Sequence, residues 1–107
     1  MSEWELIKSA GIARIEKCVA EFQVWELYKT PYGKFKVKVY QRTQGEFVGY
    51  TNIMVKNAFD GTPECGVGYG STTAEALENT IQNLLELLNF KQQFNEEDFE
   101  WSDPHDF

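Results

Sequence analysis

Histidine occurs once in this chain of 107 residues, as His105, and cysteine twice, as Cys18 and Cys65. The two thiols lie far apart and form no C-x-x-C pair, so no zinc-ligand spacing is present. A histidine or cysteine nucleophile needs a base beside it, and no second histidine is available to supply one. No G-x-S-x-G, P-loop or H-E-x-x-H motif occurs. These absences argue against an enzyme and against a bound metal or cofactor. No apolar run approaches the roughly 18 residues that a membrane helix needs. The N-terminus lacks a basic segment followed by an apolar one, so no secretory signal is visible. Two thiols without a disulfide framework fit a reducing compartment. The expectation is a soluble cytoplasmic protein.

Basic residues are missing from one stretch altogether. Residues 95–107 (NEEDFEWSDPHDF) hold six acids and no Lys or Arg. The whole chain has 17 acidic and 10 basic residues and a net charge of −7. Without that stretch 11 acids face 10 bases, so the remainder need not repel phosphate. Apolar content of 42% and aromatic content of 15% indicate a globular chain, and the length suits one domain. The composition shift after Lys91 divides the sequence into a single α+β ligand-binding domain, 1–93, and an acidic aromatic tail, 94–107. The tail is expected to be disordered or to dock on a neighbour through Phe94, Phe99 and Trp101. Truncation after Gln93 should then spare a small-ligand site.

What the sequence does have is alternation. Residues 34–42 read K-F-K-V-K-V-Y-Q-R. On a strand, Phe35, Val37 and Val39 share one face, and Lys34, Lys36, Lys38, Tyr40 and Arg42 the other. Residues 47–56 alternate likewise around Gly49. Residues 21–29 place Phe22, Val24 and Tyr28 on one face, interrupted by Glu26, and Gln23, Trp25 and Leu27 on the other. Bulk on both faces argues for a second covering layer, such as another subunit. Residues 12–19 are read as a further strand. Thr30-Pro31-Tyr32-Gly33 and Thr43–Glu46 are turns, and 65–70 is a short glycine-rich strand or loop. Residues 2–9 form a short helix capped by Ser2 with Glu5, its Trp4, Leu6 and Ile7 turned to the core. The spacing of Ala74, Leu77, Ile81, Leu84, Leu85 and Leu88 predicts a helix over 73–91, with Thr72 and Glu75 as its capping pair. The expected fold is α+β: a small antiparallel β-sheet meander, a long C-terminal helix packed on the Phe35/Val37/Val39 face and a short N-terminal helix.

Two constellations bear chemistry. The sheet face away from the helix gathers Trp25, Lys38, Tyr40, Arg42, Tyr50 and Asn52, with Lys56. Aromatic planes, an amide and cations are what a nucleotide needs for base and phosphate. The same set also suits a plain subunit interface or a solvated, edge-protecting face, and all three readings stay open. The second is C-G-V-G-Y-G-S-T-T-A-E-A, residues 65–76. Its glycines lead through Tyr69 and Gly70 into Ser71, Thr72 and Thr73 at a helix N-terminus, where free N–H groups favour an anion. Its spacing is not the dinucleotide fingerprint, and a well-capped strand-to-helix turn explains it equally.

Three resemblances add to this. The order helix, meander, helix resembles the double-stranded-RNA-binding domain in topology. However, Ser71 to Ala76 carries no Lys or Arg where that family grips phosphate, so this mode of RNA binding is disfavoured and no DNA binding is expected. Residues 68–79 (G-Y-G-S-T-T-A-E-A-L-E-N) resemble HicB-type antitoxins. Val39-Tyr40-Gln41-Arg42, Gly45 to Asn52, Gly66 to Gly70 and Thr73 to Ile81 are together similar to the first-described Thoeris anti-defence proteins of phages, over less than half of the chain. That resemblance implies a non-enzymatic sponge for a cyclic ADP-ribose isomer in the host cytoplasm. It also implies a homodimer or larger assembly with pockets near subunit boundaries, and in some members cyclic oligonucleotides at other assembly sites.

Overall fold

The computed structural model describes residues 3–30, 32–89, 93–104 and 107. Strands β1 (Glu16–Trp25), β2 (Lys34–Arg42), β3 (Phe47–Lys56) and β4 (Pro63–Gly70) form an antiparallel meander in that spatial order. Helix α1 (Thr73–Leu87) lies on one face, mainly over β4 and β3, and a short strand β5 (Phe99–Trp101) follows. The α+β architecture expected from the sequence is therefore present. The N-terminal helix is a single 3-10 turn, Glu3–Leu6. Leu6 and Ile7, expected in the core, are exposed, and the Ser2–Glu5 capping pair lies outside the described residues.

Strand β2 follows its alternation. Phe35, Val37 and Val39 are buried on the helix side, and the register sets Val37 against Thr51 and Val39 against Gly49 on β3. Ile53 and Val55 continue that face. Each such side chain contributes about 1.5–3 kcal/mol when fully buried. A one-residue slip would turn them all to solvent, so the core pins the register.

The helix meets the sheet through Leu84 and Leu88 of the stripe expected, but its first turns set Ala76 and Thr80 inward rather than Ala74. Its buried residues are Ala76, Thr80 and Leu84, joined by the C-cap Leu88, whereas Ala74 is exposed. The cause lies in the strands beneath. Gly66, Gly68 and Gly70 of β4 and Gly49 of β3 all face α1. A Cβ on Gly68 would lie 2.7 Å from Thr80 Cα, and one on Gly70 2.7 Å from Ala76 N. Helix backbone rests directly on strand backbone there, which leaves room for Ala76 and Thr80 only. The larger Leu77 and Leu85 pack at the flank. The glycine run is thus a helix seat, in keeping with the well-capped strand-to-helix turn that the sequence allowed beside an anion site. The helix ends at Leu87 rather than Lys91; residues 90–92 lie outside the described residues.

Two other expectations change. Residues 12–19 and 21–29 do not form two strands; one strand spans Glu16–Trp25, with a bulge between Cys18 and Ala20. The bulge shifts the side-chain phase, which is why the sequence periods before and after it disagree. Glu26 falls just past the strand, where its carboxylate accepts the N–H groups of Tyr28, Lys29 and Thr30 at 2.7–3.0 Å. Pro31 of the expected turn lies outside the described residues.

The 94–107 segment is not an appendage. β5 pairs with β3 at Ile53–Val55, taking the place that β2 holds as far as Thr51. Asn52 marks the changeover: its Oδ1 accepts Lys36 N–H and its main-chain oxygen accepts Ser102 N–H, both at 2.8 Å. Phe99, 5% exposed, joins the core cluster of Phe35 and Val37, with Phe94 and Tyr32 against it. Truncation after Gln93 would remove Phe99 from that core, so it is not the neutral change expected.

Candidate functional site

Residues paired directly across strands share a face, so the register assembles the side of the sheet away from α1. Glu16, Cys18 and Glu21 of β1 stand opposite Arg42, Tyr40 and Lys38 of β2. Lys38 and Tyr40 in turn face Tyr50 and Val48 of β3, and Val48 faces Tyr69 of β4. Alternation therefore places Lys38, Tyr40, Arg42, Tyr50 and Tyr69 on one surface, with Glu16 and Glu21 at its β1 margin.

Arg42 is the fixed point of this surface. Its Nε donates to Glu16 Oε2 at 2.8 Å, and its guanidinium lies over the Tyr69 ring at 5.4 Å. The Glu16 hydrogen bond raises Arg42 above the usual guanidinium range, outweighing the opposing effect of burial. Tyr40 and Tyr50 meet edge to face with centroids 6.0 Å apart. Burial pushes the Tyr40 hydroxyl up, and Cys18 and Glu16 add to the shift. The phenol is thus held as a neutral donor.

That donor and a cation converge on one oxygen. Lys38 Nζ donates to the main-chain oxygen of Phe107 at 3.0 Å, and Tyr40 Oη donates to the same oxygen at 3.2 Å. The Lys38 ammonium also lies 4.7 Å from the Phe107 ring centroid, within cation–π range. Glu21 is at the 4.0 Å limit of an ion pair with Lys38. Glu16, Tyr40, Tyr50 and Phe107 line a cavity of about 310 Å³. Removing Phe107 should unmask Lys38. In a variant ending at Asp106, acylation of Lys38 by an amine-reactive ester should rise about tenfold relative to Lys34, the factor that 1.4 kcal/mol represents. Mass spectrometry of the labelled peptides reads it. An unchanged ratio would mean that Phe107 does not cover the ammonium.

Not every expected residue joins this surface. Trp25 pairs with Lys34, whose ammonium sits 5.1 Å from its ring, eight residues along β2 from Arg42. At about 3.3 Å per residue that is roughly 26 Å away. Asn52 is engaged in the β2-to-β5 changeover described above. Gly70 and Ser71 line a separate open groove of about 500 Å³ with Gln44, Gly45, Glu46, Tyr69 and Glu75. Thr72 caps α1, its Oγ1 accepting Glu75 N–H at 3.1 Å, while Ser71 N–H donates to Glu75 Oε1 at 3.1 Å. The helix start thus carries the protein's own carboxylate, and Glu46 adds a second negative charge to the groove. An external anion is disfavoured there.

Two participants had not been singled out. Glu16 was hidden because the bulge obscured which way β1 faces. Phe107 left no sequence signal, since nothing in the pattern ties residue 107 to β2. Burial raises the Cys65 thiol, which keeps it protonated. Among the described residues no group of His, Cys, Asp and Glu is arranged to hold a metal, and no helix is long and apolar enough to cross a membrane. Comparison with protein-family models, with curated proteins and with solved structures finds no match to this chain.

Proposed function

We propose that this protein binds a small phosphate-bearing aromatic ligand on the Lys38–Tyr40–Arg42–Tyr50 surface and holds it unchanged. The ligand class is a cyclic nucleotide, in the leading case a cyclic ADP-ribose isomer. Sequestering it would blunt Thoeris anti-phage defence in the host cytoplasm, with the protein acting as a homodimer or larger assembly. The observation that supports this reading is the contact of Phe107. Lys38 and Tyr40 already grip an oxygen that lies next to an aromatic ring. A phosphate oxygen near a base presents the same pair of groups, and an ammonium and a phenol donate to it in charge-assisted hydrogen bonds. A nucleotide would compete with Phe107 for the same two donors.

The test is to incubate the protein with a cyclic ADP-ribose isomer, denature it by heat and analyse the nucleotide by chromatography. The expected result is depletion of free nucleotide before heating and full recovery of the intact molecule afterwards. A linear product accumulating with time and protein would replace the sponge with an enzyme. Failure to deplete the nucleotide at all would leave the second reading, a HicB-like module that masks a basic protein. One observation favours it: Glu96, Glu97, Glu100 and Asp103 are all exposed.

A further inference from the structure

We propose that β1 pairs edge to edge with β1 of a second copy of this chain, joining two meanders into one continuous antiparallel sheet. This does not depend on the ligand: a dimer without nucleotide affinity would leave it standing.

The two outer edges of the sheet are treated differently. At β4, α1 closes the edge. Val67 N–H donates to Asn83 Oδ1 at 2.9 Å, and Asn79 Nδ2 donates to the Tyr69 carbonyl at 2.7 Å. Asparagines on the helix thus take up edge groups that would otherwise recruit another strand. At β1, among the described residues, no strand pairs on the outer side.

The phase of the β1–β2 ladder identifies the groups left outward. Glu26 N–H donates to the Gly33 carbonyl directly opposite. Antiparallel pairs alternate between bonded and non-bonded, so Val24, Phe22 and Ala20 bond inward to β2. The main-chain groups of Glu21, Gln23 and Trp25 therefore point away from the sheet. Lys36 confirms the phase, because its N–H turns away from β1 to Asn52.

The occupant is argued from self-complementarity. A two-fold axis at Phe22 sets Phe22 against itself, Ala20 against Val24 and Glu21 against Gln23. On the helix side this joins apolar residues that are only half-buried within one chain. On the other side it sets a carboxylate against an amide. Moving the axis one residue to Glu21 would oppose two carboxylates, which is unfavourable. The bulge at Cys18/Ala20 ends the regular segment on one side.

Sedimentation of the full chain should give a dimer mass. Gln23→Pro should raise the dimer dissociation constant roughly ten- to a hundredfold, since symmetry removes the outward bond twice. The fold should survive, because that N–H has no partner within the chain. Should Gln23→Pro fail to fold, Phe22→Cys in a Cys18→Ser background keeps the test open. Phe22 faces itself in a non-bonded pair, where the Cα separation of about 4.5 Å lies within disulfide reach. Mild oxidation should then give a covalent dimer, and Val24→Cys should not. A wild-type chain that stays monomeric at high concentration, a folded Gln23→Pro variant that dimerises as before, or no cross-link at Phe22→Cys would each overturn the proposal. Capture of a different protein by a monomeric wild-type chain would overturn it too.

Discussion

Gly68→Ala is expected to cost about 3 kcal/mol or more of stability, the upper end of what overpacking a core does. The added Cβ would meet the main chain of α1, lying 2.7 Å from Thr80 Cα and closer still to Thr80 N and Asn79 C. Flexible side chains can swing away from such a contact, but helix backbone cannot. The helix must lift from β4 or the strand must bend. Either response loosens Leu84 and Leu88, which are fully buried. Domains of this size have roughly 5–15 kcal/mol of stability in total, and 1 kcal/mol moves Tm by about 4–8 °C. A fall of more than 10 °C should be plain in a circular-dichroism melt. Gly61→Ala is the control. Gly61 has a left-handed φ of 75° but nothing within 4 Å of its absent Cβ, so the cost should be only about 1 kcal/mol, the backbone strain alone. Equal losses at the two positions would mean that α1 is not seated on the glycine strand.

That seat shows where sequence reading succeeds and where it stops. Strands β2 and β3 were legible because strict alternation admits one assignment of faces, and the capping pair at Thr72 and Glu75 announced the start of α1. The meaning of the glycines was not legible. A run of G-x-G-x-G before a helix suits a phosphate loop and a helix seat alike, and only the packing of Thr80 against Gly68 decides between them. The same packing altered one end of the α1 stripe: Leu84 and Leu88 are buried as the leucine spacing predicts, but over the strand glycines the helix presents the small Ala76 and Thr80. Phe99 was read as part of a tail because five neighbouring acids dominate the local composition, yet one buried ring and three strand pairs suffice to bring the segment into the sheet. Of the candidate site, Lys38, Tyr40, Arg42 and Tyr50 were legible from alternation alone. Trp25 shares their face, but its place along the strand depends on register, which the sequence did not give.

Lys38→Ala is expected to weaken nucleotide binding roughly tenfold to a hundredfold, from the 1.5–3 kcal/mol of a hydrogen bond to a charged group. Its ammonium is the cation that the proposed ligand would take over from Phe107, and its side chain is partly exposed. The fold should lose only about 1 kcal/mol, from the contact with Phe107. Arg42→Ala should lower affinity as well but is a less clean probe. The Glu16 carboxylate, with its side chain only 20% exposed, would lose its partner at 2.8 Å. Arg14 stays within 3.6 Å of that carboxylate, so losing the shorter Arg42 bond should cost about 1 kcal/mol of stability, and the variant should melt earlier as well as bind less. Glu16→Gln reverses the logic. It removes a negative charge from the cavity wall while retaining an acceptor for Arg42, so a phosphate-bearing ligand should bind more tightly. Calorimetry with a cyclic ADP-ribose isomer on the three variants reads all of this in one series. If Lys38→Ala melts like wild type and binds equally well, and Glu16→Gln changes nothing, the cationic face carries no ligand and only keeps the sheet in solution.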